Sequence, residues 1–150
     1  AFVHDCQIET DMEILIPDDY VSNIAERINL YKELDNYETE EELANFEKEL
    51  IDRFGPVPEP TKEMIQALRL RWVGKAVGIE KLVLKQNKLI CYFIANQDSL
   101  YYQSPLFTKV LNFVQKNQNL CTLKERNNRL SLVFENVKTI VKALDLLGRV

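Results

Sequence analysis

The chain has 150 residues, 46% of them hydrophobic, and a formal net charge of −4, a size at which one domain buries roughly 70% of its extended surface and holds a core of its own, which excludes disorder. Its longest uncharged runs, such as Leu89 to Gln97, fall far short of the roughly 20 residues of a membrane span, and no signal-peptide pattern opens the chain. Cys6, Cys91 and Cys121 are odd in number and lack CxxC spacing, so free thiols in a reducing cytoplasm are expected rather than a disulfide framework.

Within residues 1 to 16, Ile8, Met12, Ile14 and Ile16 alternate with Glu9, Asp11, Glu13 and Leu15 at a period near two, the pattern of a half-buried strand. This segment is expected to lead in from a region upstream of Ala1. Pro17-Asp18-Asp19 then punctuates the chain, and Asp18 or Asp19 is placed to cap a helix running to about Asp35. Its apolar positions Val21, Ile24, Ala25, Ile28, Tyr31 and Leu34 form one stripe.

Thr39 followed three residues later by Glu42 fits a capping box that opens a second helix. Leu43, Phe46, Leu50 and Phe54 recur every three or four residues and face a core. At 100° per residue, Glu42, Asn45, Glu49 and Asp52 fall within an arc of about 80° on the solvent side. Gly55 supplies the C-cap, and Pro56, Pro58 and Pro60 stop the helix. A third helix is expected from about Pro60-Thr61 to Val77, apolar on two sides, with Trp72 as a buried anchor.

After Gly78 the period becomes strand-like. Ile79 to Lys85 and Leu89 to Ala95, joined at Gln86-Asn87-Lys88, read as a hairpin, because asparagine tolerates the positive φ of a tight turn. A helix follows at about Pro105 to Lys116. Leu120 to Lys124 and Arg129 to Phe134 make a second hairpin around Asn127-Asn128, and a last helix carries Val137, Ile140, Val141, Leu144 and Leu147. The expected fold class is α+β: an N-terminal three-helix layer packed on an antiparallel four-stranded sheet with two further helices, in the order ββαββα. The division expected is 1–16 as leading strand or linker and 17–150 as one domain, with a helical part at 17–78 and a sheet–helix part at 79–150.

Catalytic chemistry finds little to work with. The single histidine, His4, lies in the leading segment, and three scattered cysteines make a poor metal site. Gly55, Gly74, Gly78 and Gly148 form no phosphate-cradling loop, and Ser22, Ser99, Ser104 and Ser131 lack a GxSxG context. Charge is more telling. Residues 1–55 hold 16 acidic and 4 basic side chains, a balance of −12, and residues 56–150 hold 7 and 15, a balance of +8. That asymmetry suits an acidic face for a basic protein partner, a basic half near nucleic acid, or two halves that complement each other. Lys81, Lys85, Lys88, Lys109 and Lys116 look scattered, and no RNP aromatic pair or GXXG loop accompanies them.

The stretch Glu49-Leu50-Ile51-Asp52-Arg53-Phe54-Gly55-Pro56-Val57-Pro58 resembles the ELxDRFG motif of the bacterial transcription-repair coupling factor family. Leu15-Ile16-Pro17-Asp18-Asp19-Tyr20-Val21 is similar to that family's IPDDYI, and Arg27-Ile28-Asn29-Leu30-Tyr31-Lys32 to its RLxxYK. The likeness is in motifs over the first half and in pattern from about Ile79 onward. It implies a C-terminal regulatory domain, preceded by a helicase region, of a DNA translocase that displaces stalled RNA polymerase and recruits excision repair. No cofactor is implied for this domain, ATP being bound elsewhere in the full-length protein. The implied partner is the N-terminal UvrA-binding domain of the same polypeptide, and indirectly UvrA and RNA polymerase. The implied site is the acidic helix: Glu49 and Asp52 meeting arginines, Glu42 contributing from outside, and Arg53 either joining the interface or pairing locally. The alternative function is nucleic-acid binding by the basic C-terminal half.

Overall fold

The computed structural model describes residues 2–150, so Ala1, the first position of the expected leading segment, lies outside the described residues. The chain makes two compact units: Glu13–Leu68, and Arg69–Val150 together with the N-terminal residues up to Met12. The first carries 15 acidic and 5 basic side chains, a balance of −10, and the second 8 and 14, a balance of +6. Among the described residues, no helix is long and apolar enough to cross a membrane.

In the unit Glu13–Leu68, helix α1 spans Ile24–Asn36, α2 spans Glu40–Phe54, and α3, Glu59–Val77, contributes its first half. Leu30 and Leu34 of α1, Leu43, Phe46 and Leu50 of α2, and Met64, Ile65 and Leu68 of α3 are buried with Ile16 and Val21. Burying such side chains is worth about 1.5–3 kcal/mol each, and that term assembles helices that keep most of their charged side chains exposed. The incoming chain is pinned by hydrogen bonds: Ile16 N–H donates to the Tyr31 hydroxyl (2.8 Å) and the Thr61 hydroxyl to the Leu15 carbonyl (2.9 Å).

Two expectations for α1 are corrected. Neither Asp18 nor Asp19 caps it; Tyr20 and Val21 donate their N–H groups to the Pro17 carbonyl in a turn, and Asn23 is the N-cap, accepting from Glu26 N–H at 2.9 Å. The apolar stripe is also narrower than expected, for Ile24 is 66% and Ile28 47% exposed. The covered arc centres on Leu34 and Leu30, and Ile24 and Ile28 stand about 80° and 120° round the helix from Leu34, beyond its edge.

The second unit is built on a five-stranded sheet: β1 (Gln7–Thr10), β2 (Ile79–Lys85), β3 (Lys88–Phe93), β4 (Cys121–Arg126) and β5 (Arg129–Glu135), in the order β1-β2-β3-β5-β4. Four strands are antiparallel as expected; the fifth, β1, comes from the leading segment and pairs parallel with β2, Gln7 opposite Lys81. It is four residues long rather than spanning the whole of 1–16. Both hairpins close through two residues of positive φ, Gln86 and Asn87 (52° and 62°) and Asn127 and Asn128 (52° and 61°), the signature of type I′ turns. Leu82, Leu84, Leu89, Cys91, Phe93, Leu132 and Phe134 therefore share one face and are fully covered.

The second half of α3, helix α4 (Pro105–Lys116) and helix α5 (Ile140–Gly148) complete this unit. The Arg71 guanidinium donates to the Cys6 carbonyl and pairs with Asp5 at 2.7 Å, tying the segment before β1 to α3 and holding the Asp5 carboxyl below its ordinary value. Trp72, expected as a buried anchor, is only half-buried. All three cysteines are free and buried; burial pushes the Cys6 thiol up to about 12 and Cys91 well above the thiol range.

A 3-10 turn at Leu100–Gln103, not anticipated, delivers the buried Tyr101 onto the end of α3. Its hydroxyl donates to the Val77 carbonyl (2.7 Å), and its ring lies against Phe93 and Phe107. Gly78 makes this possible twice over: its φ is +104°, and a Cβ there would collide with the Tyr101 ring. Gly78→Ala is expected to cost roughly 2–5 kcal/mol by urea unfolding, combining backbone strain with overpacking. Gly55→Ala, where φ is +90° but nothing lies within 4 Å of a new Cβ, carries the strain alone and is expected to cost about 1–3 kcal/mol in the same measurement.

Candidate functional site

The acidic face of α2 begins with the way the helix starts. Glu40, Glu41 and Glu42 stand in its first turn, where the helix dipole favours negative charge. Thr39 accepts from Glu42 N–H (3.2 Å), and the Glu42 carboxylate accepts from the N–H groups of Glu38 (3.1 Å) and Thr39 (3.2 Å) and from the Thr39 hydroxyl (3.0 Å). The capping box is complete. Glu42 is thus committed to the helix start, and these bonds, the Glu38 N–H foremost, hold its carboxyl below the ordinary 4.5.

The far end is equally tied down. Gly55 donates its N–H to the Ile51 carbonyl, an acceptor the helix end leaves open, and the Tyr20 hydroxyl donates to the Gly55 carbonyl (2.8 Å), with the Leu50 carbonyl also within reach at 3.2 Å. The Tyr20 ring packs on Phe54 at 5.7 Å, and the Arg53 guanidinium lies 4.8 Å from the Phe54 ring centroid. Phe54, expected in the core, is half-buried, because it is the floor on which Arg53 rests.

Between these ends, Glu42, Asn45, Glu49 and Asp52 are all exposed. Their environments differ. Arg53 pairs with Glu49 one turn back at 3.3 Å and with Glu26 in the first turn of α1, so it works locally as a clamp between the two helices. Glu26 is the residue the sequence reading missed; its place one turn after Asn23 was the available signal. Asp52 makes no ion pair or side-chain hydrogen bond among the described residues. Tyr37, at the C-cap of α1, stacks edge-on against Phe46 at 5.5 Å; burial first, then the carboxylates of Glu33 and Glu49, raises its phenol. The negative potential therefore spreads across both helices.

Such a surface offers charge and apolar area for recognition. It presents fixed carboxylates, a fork-shaped guanidinium already engaged, and the exposed aliphatic surface of Ile24, Ile28 and Ile51. Carboxylates in this setting recognise arginines, whose planar forks take bidentate pairs.

The profile of the TRCF domain family matches residues 10–104. The chain is 38% identical over 76 residues to the transcription-repair-coupling factor of Escherichia coli, a match covering 51% of this chain and 7% of that protein. Against the corresponding factor of Rickettsia prowazekii it is 29% identical over 140 residues, covering 91% of this chain and 12% of that protein. It thus spans only a small fraction of the curated relatives it matches. A crystal structure of the C-terminal domain of transcription-repair coupling factor superposes with a TM-score of 0.71 at 22% identity, covering 97% of this chain and 91% of the other.

The titration of Glu42 provides a check on the site's framework. Its folded value lies below the unfolded one, so its stabilising contribution is present above the ordinary value of 4.5 and is lost as pH falls through the lower folded value. The Glu42 side-chain carboxyl NMR shift is expected to titrate below pH 4.5, and the melting-temperature difference between this protein and Glu42→Ala to shrink as pH falls past that point.

Proposed function

The chain belongs to the TRCF domain family, and on that footing we propose that it is a non-catalytic regulatory domain whose α2 face closes over a basic docking patch in the longer polypeptide. The patch is the UvrA-binding surface of the N-terminal domain. In the resting protein Asp52 and Glu49 pair with arginines there and mask it; engagement of RNA polymerase and DNA by the rest of the protein favours the open form and uncovers it. Transcription and excision repair are coupled by that release.

The observation that carries this reading is the state of Asp52: exposed, charged, unpartnered among the described residues, and mounted on a helix whose two ends are fixed by hydrogen bonds. A rigidly presented carboxylate loses little entropy on pairing. Exposed ion pairs contribute about 0.2–1 kcal/mol each, weak enough for a lid that must open. A switch of this kind responds to a ligand only through its unequal affinity for the two forms.

Glu49→Ala combined with Asp52→Ala in a full-length family member carrying this domain is expected to raise UvrA affinity about two- to thirtyfold by titration calorimetry, Asp52 accounting for the larger share. Arg53→Ala is expected to act in the opposite direction, lowering UvrA affinity by about two- to fivefold, because it frees the Glu49 and Glu26 carboxylates to strengthen the clasp. With circular dichroism confirming that each variant is folded, unchanged affinity in the double variant sinks the proposal.

A further inference from the structure

On the sheet face opposite the buried leucines, the register aligns side chains the sequence keeps apart. Lys88, Ile90 and Tyr92 of β3 stand beside Glu135, Val133 and Ser131 of β5, and Lys124 and Arg126 of β4 beside Ser131 and Arg129. All of these except Glu135 line a trough of about 350 Å³. Its floor is partly apolar: Tyr92 and Ile90 are half-buried, Val133 is buried, and the Arg129 guanidinium, which donates to the Phe93 carbonyl (3.1 Å) and pairs with Glu80 (3.5 Å), lies over the Tyr92 ring 5.5 Å from its centroid. Its rim is cationic.

We propose that this trough binds single-stranded nucleic acid, with bases stacking on Tyr92 and the Arg129 guanidinium and phosphates lying along Lys88, Lys124 and Arg126. Three observations converge on that occupant. Lys124 and Arg126 make no ion pair among the described residues, whereas Lys81 and Lys85 are held by Glu9 and Lys88 by Glu135. Arg126 stands directly opposite Arg129 across the hairpin; Arg129 is paired with Glu80 at 3.5 Å, so the positive charge left for an incoming anion is that of Arg126. The floor offers a guanidinium laid over a tyrosine ring, a stacked pair whose open face suits the π-face of any base and that a carboxylate-rich peptide would leave unused. Successive outward positions on β4 are about 6.8 Å apart, so Lys124 and Arg126 form a line of charge along the edge strand.

The site lies in the unit containing the sheet and is independent of the α2 face, so either proposal stands if the other falls. The test is fluorescence anisotropy of a labelled oligothymidylate with the 150-residue chain. Binding in the range of roughly 1–100 µM is expected at about 20 mM salt, with log K falling by about 0.7 per phosphate contact for each unit of log salt. Lys124→Glu with Arg126→Glu is expected to weaken it at least about tenfold, and Tyr92→Ala at least about fivefold with the salt slope unchanged, while Lys109→Glu, on α4, leaves it within about twofold. Thermal melts confirm that each variant is folded. Absence of binding at low salt overturns the proposal. So does tighter binding of poly-glutamate than of the oligonucleotide together with indifference to Tyr92→Ala, an outcome that assigns the trough to an acidic protein instead.

Discussion

The register of the β-sheet is the constraint from which most of this structure follows. Side chains alternate faces with a period of two, so a slip of one residue in the β2–β3 hairpin would turn Leu89, Cys91 and Phe93 outward and Lys88, Ile90 and Tyr92 inward. The slip is prevented by turns of two residues, each in the left-handed region. Around the first turn, Gln86 is the less natural occupant, and its N–H donates to the Asp11 carboxylate at 3.0 Å; the Asn87 carbonyl accepts from Val137 N–H at 2.8 Å. One register thus gives the unit its leucine-rich covered face and, on the reverse side, its cationic trough.

The acidic face of α2 obeys a different logic. Its charges do not share a role merely because they share an arc. Glu42 is engaged by the backbone it caps, Glu49 is half-neutralised by Arg53, and Asp52 alone is left to the outside. Both ends of the helix are anchored by bonds to backbone groups that would otherwise be orphaned, so the face is presented rigidly even though the pairs it could form are individually weak. Rigidity with weak contacts is what a reversible clasp requires. The basic trough combines ionic and stacking surfaces instead, which suits a ligand that carries both charge and flat rings.

Features governed by neighbours three or four residues apart were legible in the sequence. The capping box at Thr39 and Glu42, the Gly55 stop, the two hairpins, and α4 from Pro105 to Lys116 all stand where their local chemistry places them. Errors arose where a local signal had a competitor: Asp18 and Asp19 are good capping residues, but the Pro17 carbonyl closes a turn there and Asn23 takes the role. Ile24 and Ile28 fit a helical stripe whose covered arc, set by what α1 packs against, stops short of them.

What the amino-acid order determined by itself was the identity and approximate extent of the helices and hairpins, because capping, turn conformation and apolar period are decided within a few residues. The parallel strand β1, the Arg53–Glu26 clamp and the gathering of Lys88, Lys124, Arg126 and Arg129 around Tyr92 were decided only by the tertiary structure. A parallel pairing has no connecting turn to announce it, and residues far apart in sequence become neighbours only once strand order and register are set. Cations that look scattered along the chain share a face for that reason.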